Sequence, residues 1–221
     1  MPLTLKNFYK QWWQPWANTI AYYKINDNDT TSTIYDLSGN NHHLTWYGNG
    51  AYTTDANYGR VMNLTWSNYA TLNGYVDPNS NNWTLICLVK YTVAWFFVWQ
   101  WSSWSALPSW SLWPDTFCFC QQASTNSFLR PNPTLSSGTW HLMIWVVDWN
   151  TKSIYVDGQL NTSATRNTTN SWNSGAYFSV WYNRSDSPET LTWEIKTIIF
   201  ENKAWTQAEV EALAQEYWFT V

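Results

Sequence analysis

Aromatic, amide and hydroxyl side chains crowd two stretches of this sequence. Between residues 95 and 113, Trp99, Trp101, Trp104 and Trp110 stand among serines. Further along, Tyr177 precedes Tyr182-Asn183-Arg184. Groups of these types suit a sugar, whose C–H faces stack on rings while amides and hydroxyls fix its orientation. Trp101, Trp104, Tyr177, Tyr182 and Asn183 are therefore the candidate ligand-binding residues. The alternative is that these rings pack a core or an oligomer contact.

Catalytic patterns are absent from the sequence. No Gly-x-Ser-x-Gly elbow occurs, and no glycine-rich phosphate loop. The three histidines are His42, His43 and His141. Adjacent residues point to opposite faces of a strand, so His42 and His43 do not converge there. No Cys-x-x-Cys or His pair stands at zinc spacing. Cys118 and Cys120 share a strand face and are poorly placed to bond to each other. Cys87 could pair with one of them, or all three are small buried hydrophobes.

Composition narrows the class. Charged residues are 12% of the 221, against about 25% in a typical globular chain. Aromatics are 19%, which excludes disorder. The net charge is −4 and the 11 Lys and Arg are scattered, so no basic face for nucleic acid forms. No apolar run approaches the roughly 20 residues of a membrane span. The N-terminus shows no apolar leader segment. Abundant Asn, Thr and Ser with little Lys point to an extracellular or virion-surface setting.

The elements that must position the candidate residues are short strands. Runs at Ile20–Ile25, Arg60–Leu64, Trp83–Val89, Phe117–Cys120, Trp140–Val147, Ser153–Val156, Ala176–Tyr182 and Ile195–Phe200 are separated by turn residues. That spacing predicts an all-β, two-sheet antiparallel sandwich. Residues 1–18 read as an N-terminal arm and 19–221 as the domain. Thr206 and Glu209 form a capping box. Val210, Leu213, Ala214 and Tyr217 follow with helical spacing, predicting one short C-terminal helix on the sandwich edge.

Four stretches in order resemble the laminin-G-like, concanavalin A-like jelly rolls. They are Asp36-Leu37-Ser38-Gly39-Asn40-Asn41-His42; Val61 to Ala70; Trp140-His141-Leu142 with Tyr155-Val156-Asp157-Gly158; and Trp193-Glu194-Ile195 through Asn202-Lys203-Ala204-Trp205-Thr206. The resemblance spans about Ile20 to Tyr217. It implies a jelly roll and a non-catalytic carbohydrate-binding or adhesion module, with a glycan or cell-surface polysaccharide as partner. A structural fibre or decoration protein that oligomerises through the jelly roll is the second reading, and a degenerate glycoside hydrolase the third. Glucanases of this fold carry Glu-x-Asp-x-x-Glu on one strand, which this chain lacks. Instead Glu194 has Lys196 as its same-face neighbour, where the family has an acidic residue. No cofactor is assigned. Calcium is left open by Asp27, Asp29 and Asp36, since some relatives hold it with loop carboxylates.

Two counts are anomalous. There are 20 Trp and 8 Gly, where about 7% glycine predicts roughly 15. Trp66, Trp149 and Trp193 stand where the family has glycine. Trp149 lies in a strand-to-strand turn, where positive φ is expected. Both counts follow if the source genome reads UGA as glycine and the sequence was translated with UGA as tryptophan. The rival explanation is a tryptophan-rich binding surface.

Overall fold

The longest strands are almost wholly apolar because both of their faces are covered. The computed structural model describes residues 16–25, 32–48, 51–65, 69–72, 76, 81–91, 98–101, 110–112, 129, 135–165, 177–180 and 192–219. Its strands are β1 (Thr19–Lys24), β2 (Thr33–Ile34), β3 (Leu44–Tyr47), β4 (Ala51–Asp55), β5 (Gly59–Thr65), β6 (Tyr69–Leu72) and β7 (Trp83–Tyr91). They continue with β8 (Val98–Trp101), β9 (Trp110–Leu112), β10 (Trp140–Asp148), β11 (Thr151–Val156), β12 (Gln159–Thr165), β13 (Tyr177–Val180) and β14 (Thr192–Glu201). One helix, α1 (Gln207–Glu216), closes the described chain.

These form two antiparallel sheets. The larger has the order β12-β11-β10-β7-β14-β5-β4, with β1 also paired to β14; the smaller has the order β2-β3-β6-β13-β8-β9. Trp83, Leu85, Cys87 and Val89 of β7 join Met143, Trp145 and Val147 of β10 in the core between the sheets. The intervening Ile86, Leu88, Leu142 and Ile144 lie on the outer face, where Val210, Leu213 and Ala214 of α1 cover them. The helix therefore lies across this sheet and not on the sandwich edge. The even-numbered apolar side chains of β7 and β10 require a cover, and an edge position would leave them in water.

Local sequence sets the details. Thr206 Oγ1 accepts from the Glu209 N–H, and Glu209 Oε2 accepts from the Thr206 N–H, so the capping box is formed. Asp157 and Gly158, both at positive φ, make the two-residue turn from β11 to β12. In β14 the register shifts between Ile195 and Thr197. This bulge at Lys196 keeps Trp193, Ile195, Ile198 and Phe200 all in the core. Lys196 Nζ instead reaches the Arg60 carbonyl at 3.0 Å.

The structure departs from expectation at Trp149. It is 62% exposed. Positive φ among the described non-glycine residues falls on Asn41, Asp157 and Trp218, and not on Trp149. Trp193 fills the core at 1% exposure. Phe117–Cys120 and Trp66 lie outside the described residues, as do residues 1–15 of the arm. Cys87 is a buried free thiol.

Candidate functional site

The smaller sheet places two of the candidate rings at one point of its ladder. Trp101 of β8 is the register partner of Tyr177 of β13, and Trp99 is the partner of Ser179. Val180 at the end of β13 is fully buried in the inter-sheet core, as are its neighbour Ala70 of β6 and, nearly so, Leu72. Strand alternation then puts Thr71, which lies between Ala70 and Leu72, on the opposite, outer face of the sheet. Thr45 is the partner of Thr71 on the same face. Trp104, Tyr182 and Asn183 lie outside the described residues.

The same face carries two rings that the sequence reading did not select. Tyr47 of β3 and Tyr69 of β6 are register partners. Their rings stack with centroids 5.0 Å apart and planes 15° apart, and Tyr47 is 44% exposed. The outer face thus has aromatic residues at 47 and 69 with hydroxyl residues at 45 and 71 beside them, in the sheet whose ladder pairs Trp101 with Tyr177. A detectable signal was the alternation in Tyr69-Ala70-Thr71-Leu72, where small and apolar residues take the core positions.

Other polar groups are committed to the fold. Asp55 Oδ2 accepts from Trp140 Nε1 at 2.8 Å and Lys90 Nζ at 3.1 Å, and its Oδ1 accepts from the Asn57 and Tyr58 backbone. Burial alone would raise the Asp55 pKa, but these bonds outweigh it and bring the carboxyl to about 2. Lys90 also pairs with Glu194. A glycosidase acid must shed its proton to the leaving group, and Glu194 is instead held against a cation.

His141 has contacts in the order of a hydrolytic triad. Its Nδ1 lies 2.8 Å from Asp157 Oδ2 and its Nε2 3.0 Å from Ser136 Oγ. However, Nε2 also lies 3.2 Å from the Ser136 carbonyl, which can only accept. Which nitrogen carries the proton depends on the tautomer: Nδ1–H donating to Asp157 leaves Nε2 to accept from Ser136 Oγ, whereas Nε2–H donating to the carbonyl leaves a neutral ring with no proton for Asp157. Asp157 Oδ1 accepts from the Leu142 N–H at 2.8 Å, so the group serves as a clamp between β10 and the Asp157-Gly158 turn.

The Asp36 carboxylate, proposed for calcium, is saturated by donors from Tyr22, Ser38 and His42. His42 and His43 belong to this turn: His42 Nδ1 meets the Ile20 carbonyl, and His43 Nδ1 accepts from the Asp36 N–H. Among the described residues, no three His, Cys, Asp or Glu side chains converge to hold a metal. Asp27 and Asp29 lie outside those residues. No described helix is long and apolar enough to cross a membrane.

The fold defines the class as a two-sheet antiparallel jelly-roll sandwich with one short C-terminal helix. No protein-family model and no curated protein matches the sequence. Solved structures do. Domain 4 of AbnA, an extracellular arabinanase from Geobacillus stearothermophilus, solved with arabinotriose, matches with a TM-score of 0.66 and 18% identity. The match covers 90% of this chain and 98% of that domain. The binding domain of botulinum neurotoxin DC, solved in complex with SialylT, matches with a TM-score of 0.72 and 12% identity over 92% of this chain. The binding domain of Paraclostridial Mosquitocidal Protein 1 matches with a TM-score of 0.68 and 13% identity over 90%. The chain spans about half the length of these two toxin domains, at 52% of each. At these identities the likeness is one of fold.

Proposed function

We propose that this chain is a non-catalytic carbohydrate-binding module whose sugar platform is the outer face of the six-stranded sheet. The single observation that carries the reading is the stacked Tyr47–Tyr69 pair with Tyr47 exposed, beside Thr45 and Thr71 in the sheet whose ladder pairs Trp101 with Tyr177. Trp104, Tyr182 and Asn183 are proposed as sugar contacts on the ground of residue type alone. The full-length match to an arabinotriose-bound domain supports it. The partner is a glycan or surface polysaccharide, and the setting is a virion or cell surface.

The test is calorimetric titration with arabinotriose and a panel of neutral and sialylated oligosaccharides. Saturable binding is expected, and Tyr177→Ala or Tyr47→Ala should weaken it about tenfold, the loss of roughly 1.4 kcal/mol of stacking. Silence across the panel, with a stable oligomer in solution, would instead support the structural reading of a fibre or decoration protein. Release of reducing ends by the wild-type protein would overturn the non-catalytic assignment.

We propose also that some tryptophans stand for glycine through UGA recoding. Support comes from the end of α1. The Trp218 N–H bonds to the Gln215 carbonyl and the Phe219 N–H to the Ala214 carbonyl, with Trp218 at φ 65°. This is a Schellman motif, whose left-handed residue is usually glycine. A side chain there costs about 1–2 kcal/mol. Peptide masses from the natural source, read at positions 66, 149, 193 and 218, are expected to show glycine at 218. Tryptophan at all four positions would overturn the idea. Glycine at 99 and 101 would leave the three tyrosines as the sugar platform.

A further inference from the structure

A cleft of about 390 Å³ opens between residues 16–18, the β14–α1 connection and α1 itself. We propose that it is a second binding site, separate from the six-stranded sheet, for a ligand bearing a quaternary ammonium group. Two indoles form its walls. Trp16 and Trp205 meet at 75° with centroids 5.0 Å apart, and Trp16 is 44% exposed. Indole faces attract alkylated ammonium ions more than any other side-chain surface does.

The charges in the cleft point the same way. Among the described residues, Glu201, Glu209 and Glu216 line it, and Lys203 is the one cation. Lys203 is already paired with Glu209. Glu201 is 1% exposed and its Oε1 accepts from Thr19 Oγ1 at 2.6 Å. Among the described residues, no Lys, Arg or His lies within ion-pair distance of it. A buried carboxylate without a counter-ion favours its neutral form. Burial accordingly raises the Glu201 pKa to about 7, with Glu209 adding to the shift and Thr19 and Lys203 opposing it. A permanent cation in the cleft would supply the missing countercharge and release the proton.

Choline is the probe, because it does not titrate, and 3,3-dimethylbutan-1-ol is its neutral isostere. Calorimetry should show that choline binds and the isostere does not. A carboxyl with a pKa of about 7 is about one-tenth ionised near pH 6 and about nine-tenths near pH 8. Choline affinity should therefore rise close to tenfold across that interval. Glu201→Gln, which keeps the acceptor for Thr19, should hold the affinity at its low-pH level throughout. Trp16→Ala should weaken binding severalfold with the pH slope intact. Equal binding of the two probes, or a slope that survives Glu201→Gln, would overturn the proposal and leave the glycan reading untouched.

Discussion

Asp36→Ala should destabilise the domain by about 3–5 kcal/mol, through stranded donors worth roughly 1–3 kcal/mol each. The Asp36 side chain is fully buried. Its Oδ1 accepts from the Tyr22 and Ser38 N–H groups, both at 2.9 Å. Its Oδ2 accepts from Ser38 Oγ at 2.7 Å and the His42 N–H at 3.0 Å. One carboxylate thus ties β1 to the whole 36–42 turn, and the Asp36 backbone forms a bridge to Tyr23. Alanine removes every acceptor and leaves the Tyr22 amide, on a buried residue, without one. For a chain of this size each kcal/mol is about 2–4 °C of melting temperature, so a fall of roughly 10 °C is expected. Ser38→Ala removes a single donor and should cost about 1 kcal/mol. Thermal unfolding followed by circular dichroism measures both. Equal losses for the two variants would show that the carboxylate is not the organiser of the turn.

Phe200→Ala should cost a similar amount, about 3–5 kcal/mol, for a different reason. Phe200 is fully buried on β14, which pairs with β1, β7 and β5. Its ring meets Trp83 edge-on, with centroids 5.5 Å apart and planes at 84°. Truncation removes the ring from a strand held between β1 and β7, where Ala21 and Leu85 are its register partners and the hydrogen-bonded backbone cannot collapse into the space. A cycle with Trp83→Leu should return a coupling of about 0.5–1.5 kcal/mol, the part specific to the aromatic pair. Urea titration of the four proteins provides it. A loss below about 1 kcal/mol for Phe200→Ala would mean that the sheets repack without it.

The strands that were legible in the sequence are those with long apolar runs. Trp83–Val89, Trp140–Val147 and Ile195–Phe200 are the middle of the larger sheet, where burial on both faces writes an unbroken apolar signal. The polar, largely exposed strand β12 was not read, and neither were the short strands β2, β3, β4, β6, β8 and β9. In them polar residues take the outer face, and two to five residues are too few to show a period. The helix was legible because Thr206 and Glu209 act locally. Its position across the sheet was not, since that depends on residues more than a hundred positions earlier.

The candidate site divides in the same way. Aromatic and amide residues signalled a sugar surface by type, and Trp101 and Tyr177 were selected on that ground. Their opposition in the ladder is a matter of register between strands 76 positions apart, which no local pattern encodes. Tyr47 and Tyr69 went unselected because each stands in an ordinary strand context; only pairing of β3 with β6 stacks them.

By itself the sequence determined the all-β class, the central strands, the capped helix and the absence of familiar catalytic motifs. These follow from alternation, turn chemistry and spacing, which act over a few residues. Only the tertiary structure decided which polar groups were already satisfied. It committed Asp36 and His141 to hydrogen bonds within the fold, and it held Glu194 against Lys90. It also buried Glu201 with a hydroxyl donor and, among the described residues, no cation at ion-pair distance. The physical reason is that solvation and charge balance are set by what surrounds a group in space, and those surroundings are assembled from distant parts of the chain.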